Sequence, residues 1–143
     1  MYSSYSKYFE NNQKEIQRVS QEKKDYLLST VTASEKKLFT LLKTLSDEGY
    51  FRFTQKKIII ESIASGVFHI VDFYIQKPHR VVIEIAGSGL SPSRVCGIRR
   101  CKVISLLSEE VKILSPDKLL SFINWVSTGG VYKVHTYEEF LCS

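Results

Sequence analysis

In "GVFHIVDFYIQKPHRVVIEIAG", Gly66–Gly87, two apolar runs rich in β-branched residues flank the polar turn "QKPH". The pattern predicts a hairpin with strands over Val67–Ile75 and Arg80–Ile85. Each strand carries one carboxylate, Asp72 and Glu84, among the apolar neighbours Val71, Phe73, Val82, Ile83 and Ile85. A hairpin centred on Pro78 sets these acids opposite each other, with Cβ atoms roughly 5 Å apart. Two ionised carboxylates at that spacing repel by roughly 3 kcal/mol at an effective dielectric of about 20. A proton on one acid, a Lys or Arg between them, or a shared divalent cation would relieve the repulsion. A one-residue slip of register, or a place for one acid at an exposed sheet edge, would remove it. Of the three remedies, a magnesium-type site suits the pair best, because it needs only one or two carboxylates beside water and substrate phosphate.

Around this hairpin the chain alternates between helix and strand signals. Residues 1–30 form a polar, aromatic-speckled segment with a thin apolar stripe of Ile16, Val19, Tyr26 and Leu27, read as a surface helix, an arm or a partner-binding segment. In Ala33–Asp47 the leucines and Phe39 recur at helical spacing, with Thr32 and Glu35 as a capping box and Gly49 as the stop. A strand follows around Phe51–Ile60, with a break near Lys56, and "KVISLL", Lys102–Leu107, gives another. "SPDKLLSFINWV" opens a helix capped by Ser115 with Pro116 in its first turn. Residues 128–143 turn at Gly129 and Gly130 and then alternate like an edge strand. The order predicts an α/β protein, a central mixed β-sheet flanked by helices, occupying 31–127 between the N-terminal segment and the C-terminal extension. The connection Ser88–Arg100 barely reaches the length of a parallel crossover and has room for a short helix at most.

The 143 residues suffice for a core, and the apolar share is 43%. No apolar run is long enough to span a bilayer, and "MYSSYSKYFENN" lacks the pattern of a secretory signal, so a cytoplasmic protein without membrane association is expected. The three cysteines lack zinc or disulfide spacing. A net charge of +5 agrees with a polyanionic partner without requiring one.

The blocks "TASEKKLFTLL", "FRFTQKKI", "HIVDFYIQKPHRVVIEIAG" and "CKVISLLSEEV" together resemble the endonuclease-like domain family related to the very short patch repair (Vsr) endonucleases, in the PD-(D/E)XK nuclease superfamily. The resemblance covers about Thr32–Val126, with "VDFYI" and "VVIEI" its most specific part. It implies a restriction-endonuclease-like core that cleaves DNA with bound magnesium. Asp72 and Glu84 fall at the family's metal-binding acids, Glu35 at its helix acid, and Gln55 at a supporting strand position. Ala86 stands where the family has a second acid and the wider superfamily a lysine, and Leu90 where it has a His. The catalytic set is therefore incomplete, and the alternative is an inactive nuclease-fold module that binds nucleic acid or protein.

Lys57 and Lys102, on the flanking strands, are the lysines positioned to substitute for the missing group, against the plainer reading of solvated surface lysines. Glu35 is explained equally by the capping box. Arg94, Arg99, Arg100 and Lys102 form the densest basic cluster, suited either to gripping DNA phosphates or to ordinary solvation. His69 reads as a packed residue, His79 as part of the turn. Tyr2, Tyr5, Tyr8 and Phe9, interleaved with Lys7, suit base stacking or docking; the N-terminal arm and the C-terminal strand are the candidate homodimer contacts.

Overall fold

The computed structural model describes residues 2–62, 64–76, 80–87, 91–129 and 132–143, and the side chains of all of these except 2–11, Ile98 and Arg99. A long helix, α1 (Tyr2–Ser29), precedes α2 (Ala33–Asp47). Three strands follow, β1 (Phe53–Ser62), β2 (Val67–Ile75) and β3 (Val81–Ile85), then α3 (Pro92–Arg99) and β4 (Lys102–Leu106). The chain continues through α4 (Ser108–Ile113), α5 (Pro116–Thr128), β5 (Val134–Thr136) and α6 (Tyr137–Leu141). The strands form one sheet in the order β1-β2-β3-β4-β5. β1, β2 and β3 are antiparallel neighbours, whereas β3/β4 and β4/β5 are parallel, so the protein is α/β with a mixed five-stranded sheet between helices.

The main core lies between the sheet and α2, α4, α5 and α6. It joins Leu38, Leu42 and Leu45 of α2 and Leu119, Phe122 and Ile123 of α5 to Phe73, Ile75, Ile83, Ile104 and Leu106 of the strands. A second core beneath α3 contains Val95, Cys96, Val82 and Val103. Both long caps form: Thr32 Oγ1 accepts from Glu35 N–H at 3.2 Å, and Ser115 Oγ accepts from Lys118 N–H at 3.3 Å. Gly49, at φ +91°, supplies the left-handed residue that stops α2. Thr32→Ala is expected to lower stability by about 1 kcal/mol, measured by urea denaturation, because it orphans that amide.

β2 and β3 pair Phe73 with Ile83, Tyr74 with Val82 and Ile75 with Val81, the register expected for a turn about Pro78, although Lys77, Pro78 and His79 themselves lie outside the described residues. The crossover from β3 to β4 is made by the eight-residue α3. Two elements depart from the sequence reading. α4 is only six residues, too short to show a period, and is held by Glu110 Oε1 accepting from Leu107 N–H at 2.8 Å. The C-terminal alternation lasts three residues before Thr136 caps a helical turn by accepting from Glu139 N–H. β5 nevertheless lies at the sheet edge beside β4, and Tyr137 enters the main core. Among the described residues no helix is long and apolar enough to cross a membrane.

Candidate active site

Beyond the Phe73/Ile83 pair, side chains join β2 to β3 at Asp72 and Glu84. The Asp72 amide donates to Glu84 Oε1 at 3.2 Å, and the Ile85 amide donates to Asp72 Oδ2 at 2.9 Å. Each acid thus satisfies a backbone N–H on or beside the facing strand. Both are buried, Asp72 at 6% and Glu84 at 5% exposure. The second oxygen of Asp72, Oδ1, accepts from Lys56 Nζ at 3.0 Å. That same ammonium donates to Glu35 Oε1 at 2.5 Å, and Gln55 Nε2 donates to Glu35 Oε2 at 2.7 Å. Glu35, Gln55, Lys56, Asp72 and Glu84 therefore make one connected cluster drawn from α2 and three strands.

Lys56 answers the repulsion anticipated between the acids, together with a proton. Burial pushes the Glu84 carboxyl up, the charge of Asp72 adds to the effect, and its pKa rises to about 9. Glu84 is accordingly protonated at neutral pH. Burial alone would lower the Lys56 pKa, but Glu35 and Asp72 outweigh it and hold the ammonium above its ordinary value. The cluster carries one ammonium against two carboxylates and one neutral acid.

The expected substitutes are not the lysine used. Lys57 Nζ lies 6.0 Å from the centre of the Tyr74 ring, and Lys102 Nζ donates to the Ser127 carbonyl at 2.5 Å. Neither forms an ion pair with the acids among the described residues. Lys56 escaped the sequence reading because it has φ +52°, a left-handed conformation unusual for a strand residue with a side chain. Strict alternation fails around this residue, since Phe53 packs on the main core and Ile59 in the second, yet β1 runs unbroken over Phe53–Ser62 where the sequence predicts a break. Glu35 gives its amide to the Thr32 cap, but both its carboxylate oxygens accept from Lys56 and Gln55, so among the described hydrogen bonds the reciprocal half of the expected capping box does not form and the active-site reading takes the side chain.

The basic cluster does not stay together. Arg94 reaches Glu61 Oε2 at 3.4 Å, Arg100 and Lys102 border a different concavity, and the Arg99 side chain lies outside the described residues. His69 Nε2 lies 2.8 Å from Glu61 Oε2. Leu90 and the side chains of Tyr2, Tyr5, Lys7, Tyr8 and Phe9 also lie outside the described residues.

A cavity of about 320 Å³ borders the cluster, lined by Glu35, Lys56 and Asp72 together with Ala86, Gly87 and Thr30. Glu84 does not line it. The hard carboxylate oxygens suit magnesium in kind, and magnesium needs only one or two of them. Among the described residues no three His, Cys, Asp or Glu side chains are grouped to hold a metal. In this arrangement a cation has to compete with the Lys56 ammonium for Asp72 and with the proton on Glu84. The cluster can bind a cation against Asp72, present an ammonium to an anion in the cavity, and store a proton on Glu84.

No family model, curated protein or solved structure matches the chain. The class defined by its own architecture is an α/β protein with a mixed sheet and a buried acid–lysine cluster.

Proposed function

We propose that this protein is a phosphodiester-cleaving nuclease of the restriction-endonuclease-like type, with DNA as substrate. The observation that carries the reading is the convergence of Glu35, Gln55, Lys56, Asp72 and Glu84 on one cluster beside a cavity. Buried ionisable groups are weak contributors to stability, whereas perturbed groups at a cavity are characteristic of reactive sites. Asp72 would hold magnesium, joined by Glu84 only where the metal displaces its proton, and the bound metal would supply charge neutralisation at the phosphate and activation of water. Lys56 provides the cation absent at Ala86, its ammonium stabilising negative charge on a phosphodiester in the cavity. Gln55 and the Ile85 amide position Glu35 and Asp72.

A second reading, a nuclease-fold module that binds without cleaving, is favoured by the cluster's partial neutralisation without a metal. Cleavage of supercoiled and single-stranded DNA in magnesium or manganese separates the two. Metal-dependent nicking that falls about 100-fold or more in Asp72→Asn and in Lys56→Met is expected of the nuclease. Wild-type activity no higher than that of the variants rejects it.

A further inference from the structure

Two adjoining concavities lie at the sheet end where β3 and β4 begin, away from the acid cluster. The first, about 470 Å³, is bordered by Lys57, Arg80, Arg100 and Lys102 with Tyr74 and Tyr132. The second, about 910 Å³, shares Lys57, Tyr74 and Arg80 and adds Arg52 and Tyr50. Five cations and three tyrosines thus border the basic groove made by these two adjoining concavities. Among the described residues, no acid lines it and neither Arg80 nor Arg100 has an ion pair; the nearby Asp47 faces Lys43. Tyr50 and Tyr132 are 50% and 68% exposed, and Lys57 lies against the Tyr74 ring.

The topology assembles this groove. Parallel pairing sets Val81 beside Lys102, so Arg80 and Arg100 lead into neighbouring strands at the same end of the sheet. Both arginines have left-handed backbones, φ 51° and 48°, where glycine would be easier. Keeping a long cationic side chain at two such positions points to a use for the guanidinium.

We infer that this groove binds single-stranded nucleic acid, the cations following the phosphates and the tyrosines stacking on bases. Alternating charge and exposed rings is the chemistry of sequence-tolerant single-strand binding, because every base has a stacking face and every link a phosphate. A duplex hides its base faces and leaves the tyrosines without partners. This inference stands apart from cleavage, since the groove shares no lining residue with the cavity at the acid cluster.

The test is fluorescence anisotropy of the full chain in EDTA, with labelled thymidine and uridine oligomers of about 12 nucleotides and a duplex of the same length. Both single strands are expected to bind roughly tenfold or more tighter than the duplex. The slope of log K against log salt should be about −3 for four or five phosphate contacts. Arg80→Gly and Arg100→Gly should each weaken binding and flatten the slope by about 0.7, while Tm holds or rises because the left-handed strain is relieved. Tyr132→Ala should weaken binding roughly tenfold with the slope unchanged. Lys118→Gln, on α5, should change neither. Equal or tighter duplex binding, or unaltered affinity in both glycine variants, overturns the inference. Because EDTA excludes metal-dependent cleavage, an inactive protein that still binds single strands refutes the nuclease reading alone.

Discussion

Lys56→Met is expected to destabilise the protein by about 3–5 kcal/mol, the cost of leaving buried carboxylates without their counter-ion. Lys56 is 7% exposed and its ammonium is shared by Glu35 and Asp72. Methionine retains a long apolar stem and the same backbone demand at φ +52°, so the substitution isolates the charge. For a chain of this size the loss corresponds to a fall in Tm on the order of 10 °C. Adding Asp72→Asn removes one orphaned charge while retaining an oxygen for the Ile85 amide, and should recover part of the loss; a double-mutant cycle in urea measures the coupling. A cost below about 1 kcal/mol would show that water, rather than Lys56, compensates the acids.

The second large effect concerns Glu84. Its folded-state pKa of about 9 lies far above the ordinary carboxyl value, so between these limits the native state holds a proton that the unfolded chain has released. Stability from this group is therefore full below about pH 4.5 and is lost progressively as pH rises toward 9. The loss reaches about 1.4 kcal/mol per pH unit inside the window and totals on the order of 6 kcal/mol. Glu84→Gln imitates the protonated acid and keeps an oxygen to accept from the Asp72 amide. At pH 8 the variant should be more stable than wild type by several kcal/mol, with the difference vanishing near pH 4.5. Urea midpoints measured across pH would reveal parallel curves if Glu84 were ionised in the native state. The same substitution should reduce metal-dependent nicking under the proposed function, separating stability from activity at one residue.

The sheet and the helices α2 and α5 were legible because their signals are local. Apolar β-branched runs marked the strands, while Thr32, Gly49 and Ser115 marked helix ends through hydrogen bonds and a backbone conformation specific to those positions. The nearness of Asp72 and Glu84 was legible for the same reason, since a turn about Pro78 sets the register of Phe73 with Ile83 beside them. What sequence could not carry was the direction of Lys56. Alternation assumes an extended backbone at every residue, and one left-handed residue turns Lys56 and Lys57 to different surroundings. α6 was missed for a related reason: the Thr136 hydroxyl ends a three-residue strand and begins a helix in a single step. The basic groove depends on β3 and β4 starting side by side, which the residue pattern of either strand alone does not contain.

The placement of Lys56 has a consequence for the order of folding. Gln55 pairs with Phe73 and Lys57 with Val71, so closure of the β1–β2 hairpin brings Lys56 opposite Asp72. Hairpins close in about 1–10 μs, ahead of the docking of more distant elements. The β2–β3 hairpin closes on the same timescale and brings Glu84, so both acids gather beside a cation supplied by the neighbouring strand, ahead of the slower β3–β4 crossover. Were the neutralising lysine on β4 instead, the hairpin would have to bury two acids and wait for the parallel crossover to deliver the cation. Local supply of the positive charge lets the chain assemble a charged interior without passing through a state in which that interior is unpaired.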